Sequence, residues 1–124
     1  MFHKYFYILS ILITFSIFLF VNGCDSVTDS KANPITLPIP ATPVDGDSTV
    51  SVTPTFTWTN NAYKLQISTK RTFENPITFD VSGNTYSLPA GNLQSGTWYF
   101  WQVGILGNNI ETWSSQYFSF KTTN

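Results

Sequence analysis

The chain has 124 residues, room for one folded domain and little else. Only 10% of its residues are charged and the net charge is −1, while 17% are aromatic. There is no basic stripe or arginine cluster, which argues against nucleic acid as a partner. One histidine, His3, and one cysteine, Cys24, stand near the start. That inventory excludes an internal disulfide, Ser–His–Asp and Cys–His catalytic pairs, and nitrogen- or sulfur-ligated metal sites in everything that follows Cys24.

Met1 to Lys4 form a short segment with Lys4 as its cation, and Tyr5 to Val21 carry no charge. The run from Ile8 to Ile13, followed by Phe15 and Ile17–Val21, partitions into a membrane with its basic start on the cytoplasmic side. It is longer than a typical signal core and slightly short of a comfortable span. Length alone therefore leaves a cleaved signal peptide and an uncleaved single-pass anchor both open. Val21-Asn22-Gly23-Cys24 resembles the bacterial lipobox, in which an apolar residue, a tolerant position and a small residue precede an obligatory cysteine. The resemblance implies that residues 1–23 are a helical lipoprotein signal peptide and that the thiol of Cys24 takes a diacylglyceryl group. Asp25 resembles the inner-membrane retention signal of some Gram-negative bacteria, a rule that does not hold across all bacteria. The expected location is thus the cell envelope, lipid-anchored, with inner or outer membrane undecided.

Residues 24–37 read as the lipidated N-terminus and a flexible tether: polar at first, then punctuated by Pro34, with Pro38, Pro40 and Pro43 following. Fully extended, this segment reaches about 45 Å at about 3.3 Å per residue.

From residue 38 to 124 aromatics and threonines become dense and apolar residues alternate with polar ones. Thr55-Phe56-Thr57-Trp58-Thr59 places Phe56 and Trp58 on one face of a strand. Tyr63, Leu65 and Ile67 are expected inward on the next. Phe79 and Val81, then Tyr86 and Leu88, mark two shorter strands around the turn Ser82-Gly83-Asn84. Thr97–Ile105 is the longest β-run, and Gln116–Thr122 closes with Phe118 and Phe120 on one face. No stretch has helical period. Six or seven short strands in fewer than ninety residues predict an all-β, antiparallel sandwich.

Leu93-Gln94-Ser95-Gly96-Thr97-Trp98-Tyr99 resembles the fibronectin type III signature Leu-x-x-Gly-Thr-x-Tyr. Trp58, the Tyr63-x-Leu65-x-Ile67 pattern, the sequence Trp113-Ser114 before Phe118-Ser119-Phe120, and the opening Pro43-Val44-Asp45-Gly46-Asp47 are similar to other parts of that family. The resemblance covers residues 38–124 and implies an immunoglobulin-like sandwich of about seven strands. It implies that Tyr99 is a tyrosine corner, its hydroxyl bonding a backbone group a few residues upstream. Period 2 then turns Trp101 and Val103 inward with Tyr99, where Trp58 of the opposite sheet is expected to meet Trp101.

Few residues are placed for chemistry. The acids fall in turns and strand ends, no two in a recognisable catalytic pair. Asp45-Gly46-Asp47 reads as a turn, too poor in ligands for calcium. Lys70-Arg71 reads as a solvated loop, and Leu106–Glu111 carries no Arg-Gly-Asp. What stands out is that the period burying Tyr99 and Trp101 turns Trp98 and Phe100 outward, and Tyr117 joins them beside Lys64, Gln66 and Gln102. Contiguous exposed aromatics suit stacking on sugar rings or docking of an envelope protein, and equally suit cross-strand packing that only steadies the sheet. The expected function is a membrane-anchored, non-catalytic binding or adhesion module that needs no cofactor. The alternatives are a structural accessory of a larger envelope assembly and an uncleaved single-pass protein carrying the same domain.

Cys24→Ala should block lipidation and leave an uncleaved precursor. Mass spectrometry of the mature N-terminus decides it: a wild-type chain with an unmodified Cys24 and residues 1–23 still attached would establish the single-pass anchor.

Overall fold

The computed structural model describes residues 34–124. The predicted signal peptide, Cys24 and the tether as far as residue 33 lie outside them. Pro34–Asn124 forms one compact unit. Among the described residues there is no helix, and nine strands occur in chain order. They are β1 (Pro40–Thr42), β2 (Asp47–Val50), β3 (Thr55–Trp58), β4 (Lys64–Ser68), β5 (Ile77–Asp80), β6 (Thr85–Ser87), β7 (Trp98–Gly107), β8 (Ile110–Trp113) and β9 (Phe118–Thr122).

Two sheets result. The smaller has the order β1-β3-β6, the larger β2-β9-β7-β4-β5, with β8 paired to the far end of β7. All pairings are antiparallel except β2 with β9, which is parallel. The N-terminal stretch therefore serves both sheets. Gly46, at φ +80°, makes the turn into β2, in a conformation open to glycine at little cost. The two acids flanking it are turn ligands. Asp45 Oδ1 accepts from Ser119 N–H at 2.7 Å and from its hydroxyl at 2.8 Å, and Asp47 Oδ1 accepts from Thr49 N–H at 2.8 Å. The bond from the Thr49 backbone, with that from its hydroxyl, holds the Asp47 carboxyl below its ordinary range.

The core lies between the sheets. Phe56 from the small sheet meets Trp101 from the large one edge-on at 4.9 Å and Phe120 at 5.8 Å; Tyr99 stacks on Phe120 at 5.7 Å. Leu65, Ile67 and Val103 are fully buried around them. Burying each large ring removes roughly 150–250 Å² from water, which is how a domain without an internal crosslink holds together. Strand β7 alternates as predicted, with Tyr99, Trp101 and Val103 in the core. Gln94 N–H donates to Tyr99 Oη at 2.9 Å, five residues upstream, so the expected corner bond is made.

Two expectations need correction. The ring that meets Trp101 is Phe56, not Trp58. Trp58 is buried at the end of β3, where its Nε1–H donates to Gly83 O at 3.0 Å and ties down the β5–β6 turn. Tyr63 is exposed, because it precedes β4 at a pole of the molecule beyond the core. The connection after β7 is a hairpin into β8. Asn108 and Asn109 take φ +52° and +62°, the left-handed pair that a two-residue hairpin turn requires.

Trp101 Nε1–H, fully buried, has no hydrogen-bond partner. An orphaned donor of this kind costs about 1–3 kcal/mol. Gly104 supports the edge of this region from outside: a β-carbon there would stand 2.7 Å from Cε3 of Trp113, whose ring covers it.

Stability measurements by urea melting of the whole chain should separate these roles. Tyr99→Phe leaves Gln94 N–H unpaired and should cost about 1–2 kcal/mol. Trp101→Ala should cost about 3–5 kcal/mol. Trp101→Phe deletes the orphaned donor along with some packing, so it should cost clearly less than the alanine change. A loss for Trp101→Phe as large as that for Trp101→Ala would show that deleting the donor brings no offsetting gain.

Candidate functional site

The outward side chains of β7 and its neighbours build the candidate face. Antiparallel register sets Phe100 opposite Ser68 of β4 and Ser119 of β9, Gln102 opposite Gln66, and Gly104 opposite Lys64. Paired residues share a face of the sheet, so these form one surface. Gln102 Nε2 donates to Gln66 Oε1 at 2.9 Å in its middle. At one end Lys64 Nζ donates to Asp80 at 2.8 Å, with Glu111 at 3.9 Å. The hydrogen bond to Asp80 holds the Lys64 ammonium above its ordinary range, and the negative charges of Asp80 and Glu111 add to it.

At the other end lie the aromatics. Trp98 is 46% exposed and Tyr117 40% exposed. Phe100 is half-buried, its ring meeting Tyr117 edge-on at 6.1 Å. Two further residues come in from the β4–β5 loop. Phe73 meets the other flank of Tyr117 at 6.0 Å, and the Arg71 guanidinium lies over Phe100, 5.6 Å from the ring centre. Arg71, Phe100, Tyr117 and Phe73 are thus packed in series, with a cation at one end. Trp98 shares their side of β7, opposite Lys121, and forms no ring pair with them among the described residues.

The loop geometry, not a sequence pattern, brings Arg71 and Phe73 to the face. Ser68 Oγ accepts from Lys70 N–H at 3.1 Å, Phe73 N–H bonds Lys70 O at 3.0 Å, and Lys70 pairs with Glu74 at 2.6 Å. This tight turn leaves Phe73 at φ +53°, an uncommon conformation for a bulky residue, and its ring packs on Tyr117. Lys70 is solvated as expected, whereas Arg71 is drawn onto an aromatic face. Nothing in the local sequence signals the left-handed phenylalanine.

A concavity of about 250 Å³ opens at the pole opposite the β7–β8 hairpin. Ser68, Asn75, Asn92, Gln94 and Tyr99 are among its lining residues, and none of the lining residues is charged. Among the described residues no three of histidine, cysteine, aspartate and glutamate come together as a metal-binding group.

The chain matches no family model, no curated protein and no solved structure.

Proposed function

We propose that this chain is a lipid-anchored, non-catalytic binding module of a bacterial cell envelope, built on a fibronectin type III-like sandwich. The observation that carries the reading is the aromatic and cationic face of the large sheet: exposed Trp98 and Tyr117, with Phe100, Phe73 and Arg71 packed beside them. Rings held by strand pairing, as Trp98 and Phe100 are, or by edge contacts, as Tyr117 and Phe73 are, present large contact area at little entropic cost, and tyrosine, tryptophan and arginine are the residue types that dominate interface energetics. The neighbouring Gln66–Gln102 amide pair supplies donors and acceptors without charge. That combination suits a glycan or a polar protein surface. The family reading is supported by the split strand order β1-β3-β6 and β9-β7-β4-β5 and by the Tyr99 corner bond. The anchor reading rests on the lipobox resemblance at Cys24.

The face is tested by its two exposed rings. Trp98→Ala and Tyr117→Ala should each cost no more than about 1 kcal/mol of stability, the scale of cross-strand packing. Loss of either anchor should weaken binding by about 2 kcal/mol, roughly thirtyfold. The double variant is to be melted and assayed against a glycan array and against an envelope extract, beside the wild type. Normal melting with lost capture supports the site. Normal melting with capture retained assigns the rings to sheet packing and moves the search to the amide-lined concavity at Asn92 and Gln94.

A further inference from the structure

The pole that carries the β7–β8 hairpin differs in chemistry from the rest of the surface. Ile35, Leu106 and Ile110 are 61%, 44% and 66% exposed there, and Ile39 is exposed nearby, where its carbonyl receives Thr59 N–H. These are aliphatic side chains, and Tyr63 is exposed at the same pole with Lys64 over its ring. Leu106 and Ile110 flank the Asn108–Asn109 turn on opposite sides of the hairpin, because successive strand residues alternate. Ile35 Cδ1 lies 3.4 Å from where a β-carbon on Gly107 would stand, so the start of the described chain runs beside the hairpin tip. The opposite pole carries Asn92, Gln94 and Ser95, and Asn124 sits there against Gly96.

The position of the chain's start selects the occupant. Ten residues, Cys24 to Asn33, separate the predicted lipid attachment from Pro34, a reach of at most about 33 Å. The described chain thus begins at the same pole that shows exposed aliphatics, the pole that a lipid attachment at Cys24 would draw toward the membrane. Charge does not compete with this. Among the described residues Lys64, at this pole, is engaged by Asp80 and Glu111. From these placements we infer that the β7–β8 hairpin, with Ile35, is a shallow lipid-inserting tip that seats the domain upright on the bilayer. The inference rests on the membrane-tethered reading. Aliphatic side chains flanking a polar turn match the boundary between headgroups and acyl chains, which accepts apolar groups to a depth of about 5–10 Å. The Gly107–Ile110 segment need not fold anew to do this, since its strand pairing is already complete.

The test uses the full mature protein reconstituted in neutral phosphatidylcholine vesicles. Ile110→Cys, at an exposed site, takes an environment-sensitive nitrobenzoxadiazole probe; Ser95→Cys at the far pole serves as control. An acylated Cys24 has a thioether sulfur and takes no probe. Emission at 110 should rise on reconstitution and be quenched by lipids carrying a shallow doxyl group, with no change at 95 and no dependence on salt. A protein that floats with the vesicles but leaves the probe at 110 unquenched overturns the insertion alone. Quenching at 95 instead overturns it by showing the opposite pole down. A protein that fails to float overturns the tethered reading and the insertion with it. Leu106→Ser in the labelled background should reduce quenching at 110 while thermal melting stays unchanged; unchanged quenching likewise counts against the tip.

Discussion

Strand β7 lies at the centre of the large sheet, and everything else is arranged by which of its side chains face inward. Trp101 fixes that choice. Its indole fills the space between the sheets against Phe56 and Phe118, and no smaller inward residue would occupy it. A slip of one residue would move Trp98, Phe100 and Gln102 into the core and push Tyr99, Trp101 and Val103 into water, a loss no register error could survive. The orphaned indole N–H is the cost of that choice, since the ring is placed for volume and its polar edge finds no acceptor. The outer aromatic face is therefore a by-product of core packing first, whatever use it has been put to.

That dependence also decides what was legible in the sequence. The inward set of β7 and the outward pairing of Phe100 with Tyr117 follow from period 2 alone, because a long central strand is buried on one side throughout its length. Tyr63 obeys the same period but stands past the end of the core, and periodicity carries no information about where a core stops. Trp58 and Phe56 are both inward, as expected. Which of them reaches Trp101 depends on the offset between two sheets, a quantity absent from either strand's own pattern. Strands β1 and β2 are three and four residues long, with Pro43 and Gly46 between them, too short to show alternation. Strand β8 had a readable signal in Asn108-Asn109 after Gly107, an asparagine-rich turn that favours left-handed backbone. Arg71 and Phe73 had none, being delivered to the face by a loop whose shape is set by Ser68, Lys70 and Glu74.

Trp98, Tyr117, Arg71 and the paired amides lie on the flank of the large sheet; Ile35, Leu106 and Ile110 lie at the hairpin pole, where Tyr63 is also exposed; uncharged amides and hydroxyls line the concavity at the far pole. A domain seated on its aliphatic pole would hold its aromatic flank roughly perpendicular to the bilayer, open to partners moving along the surface, and raise the amide-lined concavity away from it.

The parallel pairing of β2 with β9 has a mechanical consequence. The described chain begins at the hairpin pole and Asn124 lies at the other, so a pull between the two ends runs lengthwise through the sandwich. Near its start β2 is held to β9 by Gly46 N–H to Ser119 O at 2.7 Å, and near its end by Thr123 N–H to Val50 O at 2.8 Å. Tension along the strands loads such bonds together, in shear, instead of opening them one after another as in a zipper. A domain pulled between its start and its far pole would resist extension as a unit, the load shared along the β2–β9 seam.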